Sequence, residues 1–199
     1  MTAPLRAAAL LSLALALAGC DRLVGNDGPV RNVAGLVHPL EFAMTDDTGR
    51  AVRASDFRGE PVLVYFGFTH CPDVCPTTLA RLSQAARVAG PRNLRILFVT
   101  VDPARDTPEQ LAAYARAFGP RVKGLRPSED ELEDLARRYR VSYSRSKPDA
   151  NGEYEVMHSS GVFGFDAAGH ARLLILPGAS EADIEAALGR LDRDSRGTA

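Results

Sequence analysis

An α/β domain, with a central sheet flanked by helices and an N-terminal hairpin, is expected from three features of this 199-residue chain. Two continuous apolar runs, residues 62–68 and 94–101, have the composition of strands covered on both faces. Each is followed by a stretch in which apolar residues recur at helical spacing. Beyond residue 140 the pattern changes to short extended segments separated by turn residues, which suits additional strands. With 45% apolar residues the chain can bury one sizeable core, and it carries no internal repeat or sign of a second domain. A formal net charge of -1 and a pI near 6.4 give no reason to expect a nucleic-acid partner.

Residues 1–19 have the make-up of a signal peptide. Arg6 precedes an apolar run from Ala7 to Gly19 that is shorter than the roughly 20 residues a spanning helix needs. Leu17-Ala18-Gly19-Cys20 resembles the lipobox of bacterial lipoproteins, in which the cysteine is acylated and becomes the first residue of the mature chain. The resemblance implies a protein held by a lipid on Cys20 at the periplasmic face of the bacterial inner membrane. Asp21 resembles the signal that retains such lipoproteins there. Residues 20–35, with Gly25, Gly28, Pro29 and Gly35, are expected to be a flexible membrane tether without fixed structure.

The domain is expected over residues 36–192. Leu40 to Met44 alternates, Thr45 to Gly49 has turn composition and Ala51 to Arg53 resumes extension, which predicts the hairpin. The apolar run 62–68 is the first core strand. Leu79, Leu82, Ala85, Ala86 and Ala89 then mark a helix that Gly90-Pro91 ends. The second core strand, 94–101, stops at Asp102-Pro103. Thr107 and Gln110 form a capping box with Pro108 in the first turn, and Ser128 with Glu131 repeats the device, so two helices follow. Residues 141–146 and 154–158 are expected to be extended, and 162–165 with 173–176 to form a hairpin. Ser180 opens a last helix, and 193–199 are expected to be a disordered, frayed tail. The order resembles a thioredoxin-like fold, whose active loop follows the first core strand.

The cysteines carry the strongest functional signal. There are three, and lipidation of Cys20 would leave Cys71 and Cys75 as an isolated pair at the point where a strand gives way to a helix. There the unpaired N–H groups and the helix dipole favour thiolate, the form that binds soft metals and attacks disulfides. Cysteines four apart, with Pro72 and Pro76 stiffening the loop, come round to one side of a near-helical segment. They can share a metal ion when reduced, and a disulfide remains sterically open to them when oxidised. Among the four histidines, His38 and His170 have the positions of solvated polar residues. His70 adjoins Cys71 and is taken as a modulator of the thiols. His158 ends an extended segment before Ser159-Ser160-Gly161, and spacing alone does not select it as a third ligand.

Gly67-Phe-Thr-His-Cys-Pro-Asp-Val-Cys-Pro76, then Val101-Asp-Pro-Ala-Arg-Asp-Thr-Pro108, then Met157-His-Ser-Ser160 near Phe165-Asp166 together resemble the Sco/SenC copper-chaperone family. The resemblance implies that Cys71, Cys75 and His158 bind one copper ion per chain, as Cu(I) or Cu(II). It implies delivery to the copper-binding subunit of cytochrome c oxidase, with periplasmic copper donors or thiol reductants as further partners. Asp102, at the end of the second core strand, matches an acidic residue near the family's site. Many members carry Asp immediately before the histidine, where this chain has Met157. Two thiolates and one imidazole suit Cu(I), whereas structural zinc ordinarily takes four protein ligands. A thiol-disulfide reductase would use the same two cysteines without metal. Reductases of the thioredoxin type, however, carry a proline where this chain has Met157-His158-Ser159. A peroxidase is disfavoured because the hydroxyl of Thr69 is too close to Cys71 and Val64 stands where the proline of peroxiredoxin loops would be.

Overall fold

The protein is seen as a computed structural model that describes residues 28–197. The signal peptide and Cys20 lie outside the described residues. The strands are β1 (Val30–Asn32), β2 (Ala43–Asp46), β3 (Ala51–Arg53), β4 (Val62–Gly67), β5 (Arg95–Thr100), β6 (Val122–Arg126), β7 (Tyr143–Arg145), β8 (Val156–His158), β9 (Val162–Phe165) and β10 (Ala171–Ile175). The helices are α1 (Val74–Val88), α2 (Pro108–Ala117), α3 (Glu129–Tyr139) and α4 (Glu181–Gly197).

Eight strands form one mixed sheet in the order β1-β10-β9-β4-β5-β6-β2-β3. The central strands β4, β5 and β6 run parallel, as their apolar composition and intervening helices demand. β9 joins β4 antiparallel on the other side, so β4 sits mid-sheet and all six of its residues are buried. Pairing with β9 stops at Tyr65, so Phe66 and Gly67, where the cysteine loop begins, are held by β5 alone. Both expected capping boxes are present: Thr107 with Gln110 opens α2, and Ser128 with Glu131 opens α3. β7 and β8 leave the main sheet and form a two-stranded hairpin of their own, with Tyr143 paired to His158.

Three segments differ from expectation. Residues 30–33, placed in the flexible tether, are ordered: β1 pairs antiparallel with β10, and Val33 is buried. The free edge of β10 supplies backbone partners that local composition does not reveal. The tail expected at 193–199 is helical to Gly197. Ser195 is buried, donates to the Leu191 carbonyl at 2.8 Å and accepts from the Ala167 N–H at 3.2 Å. Finally β6 was not anticipated, because Val-Lys-Gly-Leu-Arg carries glycine and two cations within five residues. It is extended because it is paired on both sides, by β5 and by β2.

Candidate metal centre

Cys71 lies in the loop after β4, and Cys75 in the first turn of α1. The backbone N–H of Cys75 points at the Cys71 sulfur at 3.4 Å, one of the unpaired donors that begin any helix. His158 arrives from the β7–β8 hairpin, 83 residues further on, and its Nε2 lies 3.4 Å from the Cys75 sulfur. One donor atom from each of the three residues lies within 4.8 Å of the others. That is close to the span of up to about 4.6 Å that a single ion bridges with bonds of about 2.0–2.3 Å. The three residues quoted for the site from sequence are thus brought together.

The imidazole is prepared for a metal. Its Nδ1 is 3.0 Å from the Ser159 carbonyl, which can only accept, so Nδ1 carries the proton and Nε2 presents its lone pair to the sulfurs. Burial pushes the histidine below its usual range and so favours the neutral form. Tyr65 and Phe68 fix the ring, with centroids at 6.2 and 5.8 Å in edge-to-face contact.

The helix-terminus argument for thiolate fails at one of the two sulfurs. Cys75 is fully buried, and desolvation pushes its thiol up to about 12, outweighing the hydrogen bonds that favour the charge. Without a metal Cys75 is a thiol at neutral pH. Displacing its proton falls to the incoming cation.

Gly67 makes this burial possible. A Cβ there would stand 2.6 Å from Phe98 Cε2 and 3.0 Å from the Cys75 sulfur. Phe98 cannot give way, since it is buried against Tyr65 at 6.0 Å and Tyr114 at 5.2 Å. Gly67→Ala is expected to cost about 1–3 kcal/mol through overpacking. In a domain of this size that lowers the melting temperature by roughly 2–12 °C. A thermal melt indistinguishable from wild type would mean that the strand yields more easily than its packing suggests.

The expected accessory residues are placed as follows. Asp102 is fully buried, ion-paired to Arg105 at 2.5 Å and to Arg145 at 3.6 Å, and accepts from the Tyr154 hydroxyl at 2.7 Å. Arg145 belongs to β7, and Tyr154 precedes β8. Asp102 therefore clamps the hairpin that carries His158, while the clustered donors are Cys71, Cys75 and His158. The His70 ring makes its contacts with Thr69 Oγ1 at 3.2 Å and Asp106 Oδ1 at 3.4 Å, so any effect on the sulfurs runs through that carboxylate. His170 pairs with Asp166 at 3.4 Å, and His38 is exposed.

Sequence reasoning missed Asp106. It is fully buried, and its carboxylate accepts from the Thr69 N–H (3.0 Å), the Thr69 hydroxyl (2.6 Å) and the Thr100 hydroxyl (2.6 Å). It ties the cysteine loop to the end of β5. Its place in Arg105-Asp106-Thr107-Pro108, just before a capped helix, resembles turn chemistry and gave no separate signal.

A model of the SCO1/SenC family matches residues 36–192, more than half of the chain. The chain belongs to the SCO1/SenC family. Relatives include the mitochondrial SCO2 homolog of Bos taurus, 42% identical over 127 residues that cover 62% of this chain and 48% of that one. A SCO2-like protein of Rickettsia felis is 31% identical over 171 residues, covering 80% and 83%. The chain spans about half the length of the mitochondrial relatives it matches. Among solved structures, Arabidopsis thaliana ScoI with copper bound aligns at a TM-score of 0.73 with 28% identity, covering 78% of this chain and 98% of that one. Bradyrhizobium japonicum ScoI with copper bound aligns at 0.68 with 32% identity, covering 77% and 98%. The architecture of this SCO1/SenC chain is thioredoxin-like, as expected.

Proposed function

We propose that this protein is a copper chaperone that takes up one copper ion between Cys71, Cys75 and His158 and delivers it to the copper-binding subunit of cytochrome c oxidase. The observation that carries the reading is the convergence of two sulfurs and an unprotonated imidazole nitrogen within 4.8 Å. Two soft sulfurs and one imidazole suit Cu(I), and a further exogenous ligand would complete a Cu(II) site. Membership of the SCO1/SenC family and the copper-bound ScoI structures support the choice of copper over other soft metals.

Delivery requires an ion that a partner's ligands can reach. Cys71 is half-buried whereas Cys75 is fully buried, so Cys71 is the more accessible of the two sulfur ligands. A lipid on Cys20 would confine the domain to the periplasmic face of the inner membrane, where the oxidase subunit and periplasmic copper donors or thiol reductants are met. The residues between Cys20 and β1 would then link the lipid to the domain.

The test is transfer. Reduced, copper-loaded protein is mixed with the apo copper-binding domain of the oxidase subunit, and both are separated and assayed for copper. Copper leaving this protein for the oxidase domain, with their thiol contents unchanged, is the expected result. If the oxidase domain's disulfide is instead reduced by metal-free protein and no copper moves, the same cysteines act as a thiol-disulfide reductase.

A further inference from the structure

Tyr65 and Gly67 lie two apart on β4 and so face the same side of the sheet. Gly67 leaves room for the Cys75 sulfur, and Tyr65 forms the next part of that wall, edge-on to the His158 ring. The Tyr65 side chain is fully buried, yet its hydroxyl has no hydrogen-bond partner. Leaving a buried hydroxyl unpaired costs about 1–3 kcal/mol, and buried tyrosines normally find a partner. Phenylalanine would fill the same wall without that cost, so the hydroxyl needs a physical reason.

Two polar groups act on this hydroxyl, the Cys75 sulfur and the Thr78 side chain. Neither forms a hydrogen bond with the hydroxyl here, so the phenol proton is free to turn to the sulfur. As a neutral thiol, Cys75 is a weak acceptor. When a copper ion binds, the Cys75 S–H bond breaks, its proton leaves to solvent, and the sulfur forms the bond to the metal with increased negative charge. The orphan hydroxyl then has a strong acceptor beside it. Burial also holds the Tyr65 phenol far above its usual range, so it stays protonated and able to donate.

We infer that the Tyr65 hydroxyl donates a hydrogen bond to the Cys75 sulfur in the loaded site and thereby sets how the site divides its affinity between the two copper oxidation states. The inference rests on the copper reading above. A hydrogen bond to a thiolate withdraws electron density from it and weakens it as a donor. This favours the electron-rich Cu(I) form over Cu(II), the same lever that tunes sulfur-ligated copper and iron centres. Tyr65 acts through Cys75 and is a positioning and tuning residue.

The experiment compares the full chain in detergent with Tyr65→Phe and with Tyr114→Phe. Tyr114 also carries a buried, unpartnered hydroxyl, and it packs behind Phe98 at 5.2 Å. Tyr65→Phe should still bind one copper. Its sulfur-to-Cu(II) charge-transfer band should move to longer wavelength, and its ratio of Cu(I) to Cu(II) affinity should fall about tenfold, equal to about 59 mV for a one-electron couple. Tyr114→Phe should leave both unchanged. A Tyr65→Phe protein that binds one copper with the wild-type band and ratio overturns the inference and leaves the copper reading standing. A wild-type protein that binds no copper overturns both.

Discussion

Replacing His158 with alanine is expected to lower copper affinity by more than about 100-fold while the fold survives. Residues that only hydrogen-bond to a ligand typically cost 10–100-fold when removed, and a ligand itself should exceed that. His158 supplies the only nitrogen among the clustered donors, with Nε2 3.4 Å from the Cys75 sulfur and its other ring nitrogen occupied by the Ser159 carbonyl. Cys71→Ala and Cys75→Ala should each be at least as damaging, because the remaining sulfur and imidazole leave a soft ion two-coordinate. None of the three changes removes much packing. Cys75 is small, and the imidazole's contacts with Tyr65 and Phe68 are worth about 1 kcal/mol. Competition with a chromophoric Cu(I) chelator reads the affinity, and far-UV circular dichroism checks the fold. Wild-type affinity in the His158→Ala protein would remove the imidazole from the ligand set and leave a dithiol, which is what a reductase needs.

The parts of this site that local sequence encodes were legible, and the parts made by distant packing were not. Strand β4 and the Cys71–Cys75 spacing are local, and so are both capping boxes, whose partners are three residues apart. His158 is different. Its selection depends on a hairpin outside the main sheet, clamped by Asp102 through Arg145 and Tyr154, and no periodicity in residues 154–158 reports that clamp. Family resemblance supplied it instead. The state of Cys75 was misjudged for a related reason. A helix N-terminus is visible in sequence, but the wall made by Gly67, Tyr65 and Phe98 is not, and desolvation by that wall outweighs the dipole. Strands β1 and β6 show the same limit in the fold: each is short and locally unconvincing, and each is extended because a neighbour's edge pairs with it.

Asp106→Ala should be the most destabilising single change near the site, although Asp106 is not among the clustered donors. Its carboxylate satisfies the Thr69 N–H, the Thr69 hydroxyl and the buried Thr100 hydroxyl, and it does so with no solvent access. Alanine leaves those donors without an acceptor, at about 1–3 kcal/mol for each that stays dry. Thr69 is partly reached by water, so a total of about 2–4 kcal/mol is expected, equivalent to a fall of roughly 4–16 °C in melting temperature. The loss should also reach the metal, because Thr69 lies two residues before Cys71 and the carboxylate is what holds the loop to β5. A decrease of about 10–100-fold in copper affinity follows, the range for groups that orient ligands without touching the ion. Asp106→Asn separates charge from shape. The amide keeps one oxygen for the Thr69 N–H and the Thr100 hydroxyl, and the Thr69 hydroxyl can turn to accept from its nitrogen, so most of the stability should return. If Asp106→Ala melts within about a degree of wild type, the loop is held by the sheet and helix on either side of it, and the carboxylate does not position Cys71.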